Sequence, residues 1–389
     1  MHTLCMGMEF WHGTGVGARE RGMKARLRDK AQCRAVYLEL AAGGLSMPIG
    51  ADLILQSKAD HERRLTDGRG LGEVVVETAR RFETPLAFPL MDLTLEKAWM
   101  LGILGVPEKD RSTYHFGECP PAGSLERLRQ GLREAPTPRI TASCGAIGHV
   151  AEAGDLVPVG MAIGPFSLMT KLLSDPITAV YLAGSGVGAD EDEEVRTAET
   201  ALQLGTEVIL RSLELQAAAG ARAICLCEPA ANVVYLSPRQ IGSGSDVFER
   251  FVMEPNRRIR QRLRELGCDL FLHDCGELSD AMVAQFNTLD PAILSLGSSR
   301  KLWLDEPLVS KQTVLFGNLP SKKFYSDTDC PADIIDVWAG ELVARMTATG
   351  HPFILGTECD VLSVPAAHGT ILAKVDRMRS FRGRAGRRG

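Results

Sequence analysis

CDLFLHDCG, residues 268–276, is the stretch that decides the fold. A short apolar run, Leu270 to Leu272, ends in His273, Asp274 and Cys275, with Gly276 as a breaker. That is the pattern of a buried strand with polar groups at its C-terminal end. Before it, VFERFVMEPNRRIRQRLREL (247–266) carries apolar residues at helical spacing. Further back, ARAICLCEP (221–229) is another strand, and EDEEVRTAETALQLGTEVILRSLELQAAAGA (191–221) another helix. Forward come the strand-like AILSLGS (292–298), QTVLFGN (312–318) and HPFILGTECD (351–360), with the helix ADIIDVWAGELVARMTATG (332–350) between the last two. Upstream lie the strands PLAFPLMDL (85–93) and LVPVGMAIGPFSLM (156–169), and the helix GEVVVETARRF (72–82). SMPIGADLIL (46–55) is the candidate for an eighth strand. Strands alternating with long helices predict βαβ units and a parallel sheet.

No G-x-G-x-x-G follows an early strand, so an α/β (β/α)8 TIM-type barrel fits better than an open dinucleotide-binding sheet. Gly184–Ala189 is the nearest glycine run. Acidic residues from Asp190 to Glu194 follow it, which favour a helix start and repel phosphate. The expected organisation has four parts. Residues 1–22 form a loosely ordered extension, and 23–75 a mainly helical N-terminal segment packing on the barrel. Residues 76–375 form the catalytic barrel, and 376–389 a basic, disordered tail.

Composition narrows the function. The chain has 389 residues, 45% of them hydrophobic, and a net charge of -5. That is enough apolar material for a large core, and the wrong charge for general nucleic-acid binding. No run of 18 or more apolar residues suits a membrane span, and the N-terminus lacks a secretory pattern. The 10 cysteines are dispersed, which suits a reducing cytoplasm and thiols used as ligands or buried groups.

In a parallel barrel the chemistry sits at the C-terminal ends of the strands. The polar residues there are Asp92, Glu228, His273–Cys275, Ser298 and Ser299, Asn318, and Glu358–Asp360. His273 and Cys275 stand at i and i+2 on a strand, so both turn to one side. Cys359 ends a later strand that barrel closure brings near. One imidazole and two thiolates suit Zn²⁺, and three protein ligands leave a position open, as catalytic sites do. An H-x-C pair also arises by chance, and Cys225 and Cys227 are rival ligands. Asp92 and Glu228 are the candidate catalytic carboxylates, although Asp92 also suits the cap of the helix TLEKAWMLG, with Glu96 in its first turn. Gly164, Phe166, Asn318 and Glu358 are candidate pocket residues.

Ordered motifs over roughly residues 80–375 resemble the uroporphyrinogen decarboxylase superfamily, and within it the zinc-dependent, corrinoid-linked methyltransferases. The pieces are MDLTLEKAWMLG, IGPFSLMTKLL, AGARAICLCEPAANVVYLSPRQ, FLHDCG, VLFGNLP and GHPFILGTECDV. The resemblance implies a zinc held by His273, Cys275 and Cys359. It also implies a corrinoid (cobalamin) carried by a partner protein, and methyl transfer to a small thiol or from a methylated donor such as a methyl ether. The decarboxylases' N-terminal arginine motif is absent, and LQSKADHERRL (55–65) stands there instead. Glu228 replaces the aspartate more usual before that proline. Alternatives are a tetrapyrrole decarboxylase using Asp92, a non-enzymatic corrinoid or tetrapyrrole binder, and a folate-dependent transfer.

Overall fold

The computed structural model describes residues 33–381. The extension expected over 1–22 and the end of the basic tail lie outside the described residues.

The eight strands are β1 (Ser46–Ile49), β2 (Leu86–Ala87), β3 (Val157–Ile163), β4 (Ala223–Cys227), β5 (Asp269–Asp274), β6 (Ile293–Leu296), β7 (Val314–Leu319) and β8 (Phe353–Asp360). The helices used below are α1 (Cys33–Ala42), α2 (Gly68–Arg81), α3 (Leu95–Ile103), α4 (Pro138–Ala153), α5 (Pro165–Thr170), α6 (Glu193–Ala218), α7 (Glu254–Leu266), α8 (Asp280–Asn287), α9 (Ala332–Thr349) and α10 (His368–Arg379). All the paired strands run parallel, in the order β1-β8-β7-β6-β5-β4-β3-β2. The seam lies between β1 and β2, where the Thr84 hydroxyl meets the Met47 sulfur at 3.0 Å.

What makes this a barrel is its interior. Alternate residues of every strand pack into one cluster, among them Met47, Leu86, Val159, Cys225, Phe271, Ile293, Phe316 and Ile354. A sheet with helices on both faces would have no such shared inner layer. Tyr37 of α1 plugs the N-terminal end, its ring edge-on to Phe271 at 5.0 Å. Burying each large side chain contributes roughly 1.5–3 kcal/mol. The opposite strand faces pack on the helices through residues such as Leu226, Leu272, Ile209 and Phe286.

Local chemistry sets the boundaries. SMPIGADLIL is half strand, because Gly50 ends β1 and Ala51–Leu55 turns helical. LVPVGMAIGPFSLM likewise leaves its strand at Gly164. Pro165 opens α5, where a missing N–H costs nothing. The glycine run at 184–189 leads to α6, which Asp192 caps by accepting from the backbone N–H groups of Glu194 and Val195. The final helix, α10, runs on to Arg379, so the first residues of the expected tail are helical. Asp376 and Arg377 anchor it through Arg81 and Asp336.

Candidate metal centre

Strand alternation places His273 on the inner face, in line with Phe271. The neighbouring registers put Cys227 and Ser295 on either side of it. Ser295 is the polar residue inside the apolar run ILSL, and its hydroxyl meets His273 Nδ1 at 2.9 Å. His273 is buried, and its Nε2 has no partner. A buried, unpartnered ring nitrogen oriented through its other nitrogen is the usual arrangement of a histidine metal ligand.

Cys275 and Cys359 supply the other donors. The ligand atoms of His273, Cys275 and Cys359 lie within 4.8 Å of one another, so the three form a group able to hold a metal ion. Cys359 needs a special turn to reach it. Counted from the inward Ile354, strict alternation would point residue 359 outward. The β1–β8 register slips between Met47 and Ile49, and Ile49 N donates to the Thr357 hydroxyl at 3.1 Å. Such irregularities re-aim side chains at strand ends. Cys359 Sγ also lies 3.6 Å from Met91 Sδ.

The electrostatics separate the two thiols. The Cys359 thiol bonds to Cys275 and holds it far below the usual thiol range, with His273 and Lys322 helping and burial opposing. The same hydrogen bond, with burial, pushes Cys359 up. Burial works against the charge of Lys322, yet Cys275 and Cys359 outweigh it and raise Lys322. Lys322 and Met91 carried no signal in the sequence. Met91 lies in a loop and Lys322 in a single 3-10 turn after β7, and only the fold brings them to the sulfurs.

The other expected residues fall into separate roles. Glu358 accepts from Ser298 N at 3.1 Å. The Asn318 amide donates to the carbonyls of Gly297 (2.7 Å) and Arg300 (2.9 Å), bracing the loop after β6. Asp92 is ion-paired with Arg139 and accepts from Thr94 N at 3.0 Å, while Thr94 itself caps α3. Cys225 and Cys227 are buried, with their sulfurs 3.9 Å apart, and are not in the three-residue group.

Glu228 turns to the helix side. Its carboxylate accepts from Phe166 N (3.2 Å), Ser167 N (2.9 Å) and the Asn256 amide (3.0 Å). Burial pushes it up, and these hydrogen bonds oppose that shift. Gly164 is required here, because an added Cβ would meet the Glu228 carboxyl carbon at 2.0 Å. Phe166 is fully buried, edge-on to Tyr235 at 6.3 Å. The structure therefore groups Gly164, Phe166 and Glu228 with one another rather than with the sulfur ligands. Glu96, expected only as a first-turn residue, is buried against Ser212, and burial pushes it up to about 7.

Fold and centre together define a (β/α)8 barrel with an N,S,S group, able to hold a metal ion, at the C-terminal ends of its strands. The family model for uroporphyrinogen decarboxylase (URO-D) matches residues 54–376, and the chain belongs to that family. Among solved structures it is similar to a methyltransferase from Methanosarcina mazei. The identity is 18% and the TM-score 0.59, with 87% of this chain and 97% of that one covered. No curated protein matches the sequence.

Proposed function

We propose that the protein is a zinc-dependent methyltransferase that moves a methyl group between a corrinoid carried by a partner protein and a small substrate. The substrate is a thiol acceptor or a methylated donor such as a methyl ether. The observation that carries this reading is the donor set. One unpartnered imidazole nitrogen and two sulfurs converge within 4.8 Å, and two thiolates would balance a divalent ion. The likeness in fold to a methyltransferase from Methanosarcina mazei supports the class. Asp92 is tied to Arg139, which leaves it less available for tetrapyrrole decarboxylation.

His273, Cys275 and Cys359 would hold the zinc. When bound, it supplies a Lewis acid that lowers the pKa of a thiol or polarises an ether oxygen. The chain's own groups prepare the site. Ser295 fixes the tautomer and direction of the His273 ring, and Lys322 offsets the thiolate charge. Glu358, held by Ser298 N, and Asp92 are the carboxylates we assign to the surrounding pocket. We place the protein in the reducing cytoplasm. The cysteines from Cys119 to Cys359 are all free thiols, and among the described residues no helix is long and apolar enough to cross a membrane.

Elemental analysis of the purified chain tests the site, with Cys275→Ala as control. Roughly one zinc per chain, lost in the variant, is expected. Demethylation of methylcobalamin with small thiols, or demethylation of methyl ethers, is then the activity assay. A zinc-free chain purified without oxidant or chelator would overturn the proposal.

A further inference from the structure

A second site lies beside the barrel ends. A cavity of about 650 Å³ opens between α3, the loop that follows it, the start of α4 and the end of α5. That volume falls within the range of small-molecule sites, roughly 300–1,000 Å³. Lys97, Arg111, Arg139 and Lys171 line it, and Glu108 is its one acidic lining residue. Arg139 is paired with Asp92. Four cations against two carboxylates leave a surplus of two positive charges.

Two of the cations, Lys97 and Arg111, are braced by backbone carbonyls, while Lys171 is exposed. Lys97 is buried, and its ammonium donates to Lys171 O (2.8 Å) and Ser112 O (3.3 Å). An ammonium has three donors, so one remains. The Arg111 Nε donates to Val106 O at 2.9 Å, which fixes the guanidinium and leaves its outer N–H groups available. The Lys171 ammonium makes no hydrogen bond or ion pair with the described residues. Burial, and then the charge of Lys171, lowers the pKa of Lys97, a cost that an anion between them would remove.

We propose that this cavity binds a small phosphate-bearing molecule, with the dianion among Lys97, Arg111 and Lys171 and an apolar body against Leu95 and Pro138. The surplus of two charges matches a phosphate dianion. The donors come from three separate segments, which suits tetrahedral oxygens better than a planar carboxylate, and lysines serve phosphate as point charges. The cavity lining shares no residue with His273, Cys275 and Cys359, and binding there would not need a metal on those groups.

Calorimetric titration of the full chain with inorganic phosphate and phenyl phosphate tests this, at about 0.15 M salt so that surface charge is screened. Saturable binding of both is expected, tighter for phenyl phosphate. Lys171→Met and Arg111→Met should each weaken it about tenfold or more. Cys275→Ala should leave it unchanged, so loss of the metal reading and loss of this one are distinguishable. Absence of saturable binding, or equal binding by both cavity variants, would overturn the proposal. Citrate binding tighter than phosphate would also overturn it and assign the cavity to polycarboxylates.

Discussion

The ends of β4 and β5 present two faces with opposite chemistry. On the inner face His273 carries an unpartnered nitrogen towards two sulfurs. On the outer face, Glu228 has its carboxylate bound by two backbone N–H groups and an amide. Both groups are buried, and Glu228 N even donates to His273 O at 2.8 Å. The difference lies in what satisfies them. The outer carboxylate is completed by the chain and holds α5 in place. Of the inner donors, His273 Nε2 has no partner, while Cys359 Sγ lies 3.6 Å from Met91 Sδ. Burial of a polar residue is thus not by itself a sign of function.

The largest expected effects strike the inner face. Cys275→Ala and Cys359→Ala should each abolish metal binding, a loss beyond the roughly 100-fold that removal of an outer hydrogen-bond partner produces. Their circular dichroism should match the parent's. A variant that keeps its zinc would break the comparison.

Glu228→Ala should do the reverse. It leaves three buried donors without an acceptor, at about 3–5 kcal/mol of stability, while the folded fraction keeps its metal. Urea midpoints measure the loss. Glu228→Gln should lose less and also retain zinc. If that variant instead lost turnover with its fold and metal intact, Glu228 would be catalytic after all.

Glu96 extends the comparison into the helix layer. Burial raises its pKa to about 7 from the usual 4.5, so the folded chain holds a proton that the unfolded chain gives up. That contribution is full below pH 4.5 and is lost as pH rises towards 7. Glu96→Gln should remove this dependence and gain up to ~3 kcal/mol over the parent at about pH 8, read from denaturation at several pH values. Parallel pH profiles for the two proteins would contradict it.

The smallest effect tests orientation. Ser295→Ala removes the partner of His273 Nδ1 and should weaken zinc binding about 10–100-fold in competition with a chelator, with little change in stability. Unchanged affinity would mean that the strands alone aim the ring.

Much of the barrel was legible in the sequence. Every strand expected from an apolar run is present, although SMPIGADLIL and LVPVGMAIGPFSLM each hide a helix after a glycine, and PLAFPLMDL pairs only at Leu86–Ala87, which leaves Asp92 in the loop beyond the strand. His273 and Cys275 followed from their i, i+2 spacing. The face that Glu228 takes was not legible, because a polar residue after a strand reads alike on either face. Lys322, Met91 and Ser295 were missed, the first two because a short turn and a loop carry no periodicity.

The sequence by itself determined the alternation of strand and helix and the types of ligand available, since periodicity and side-chain chemistry are local properties. Only the tertiary structure decided which donors meet. Cys359 reaches His273 across 86 residues through closure of the barrel and a register slip on β8, and Asp92 is claimed by Arg139. Such contacts depend on the packing of distant segments, and no local pattern encodes them.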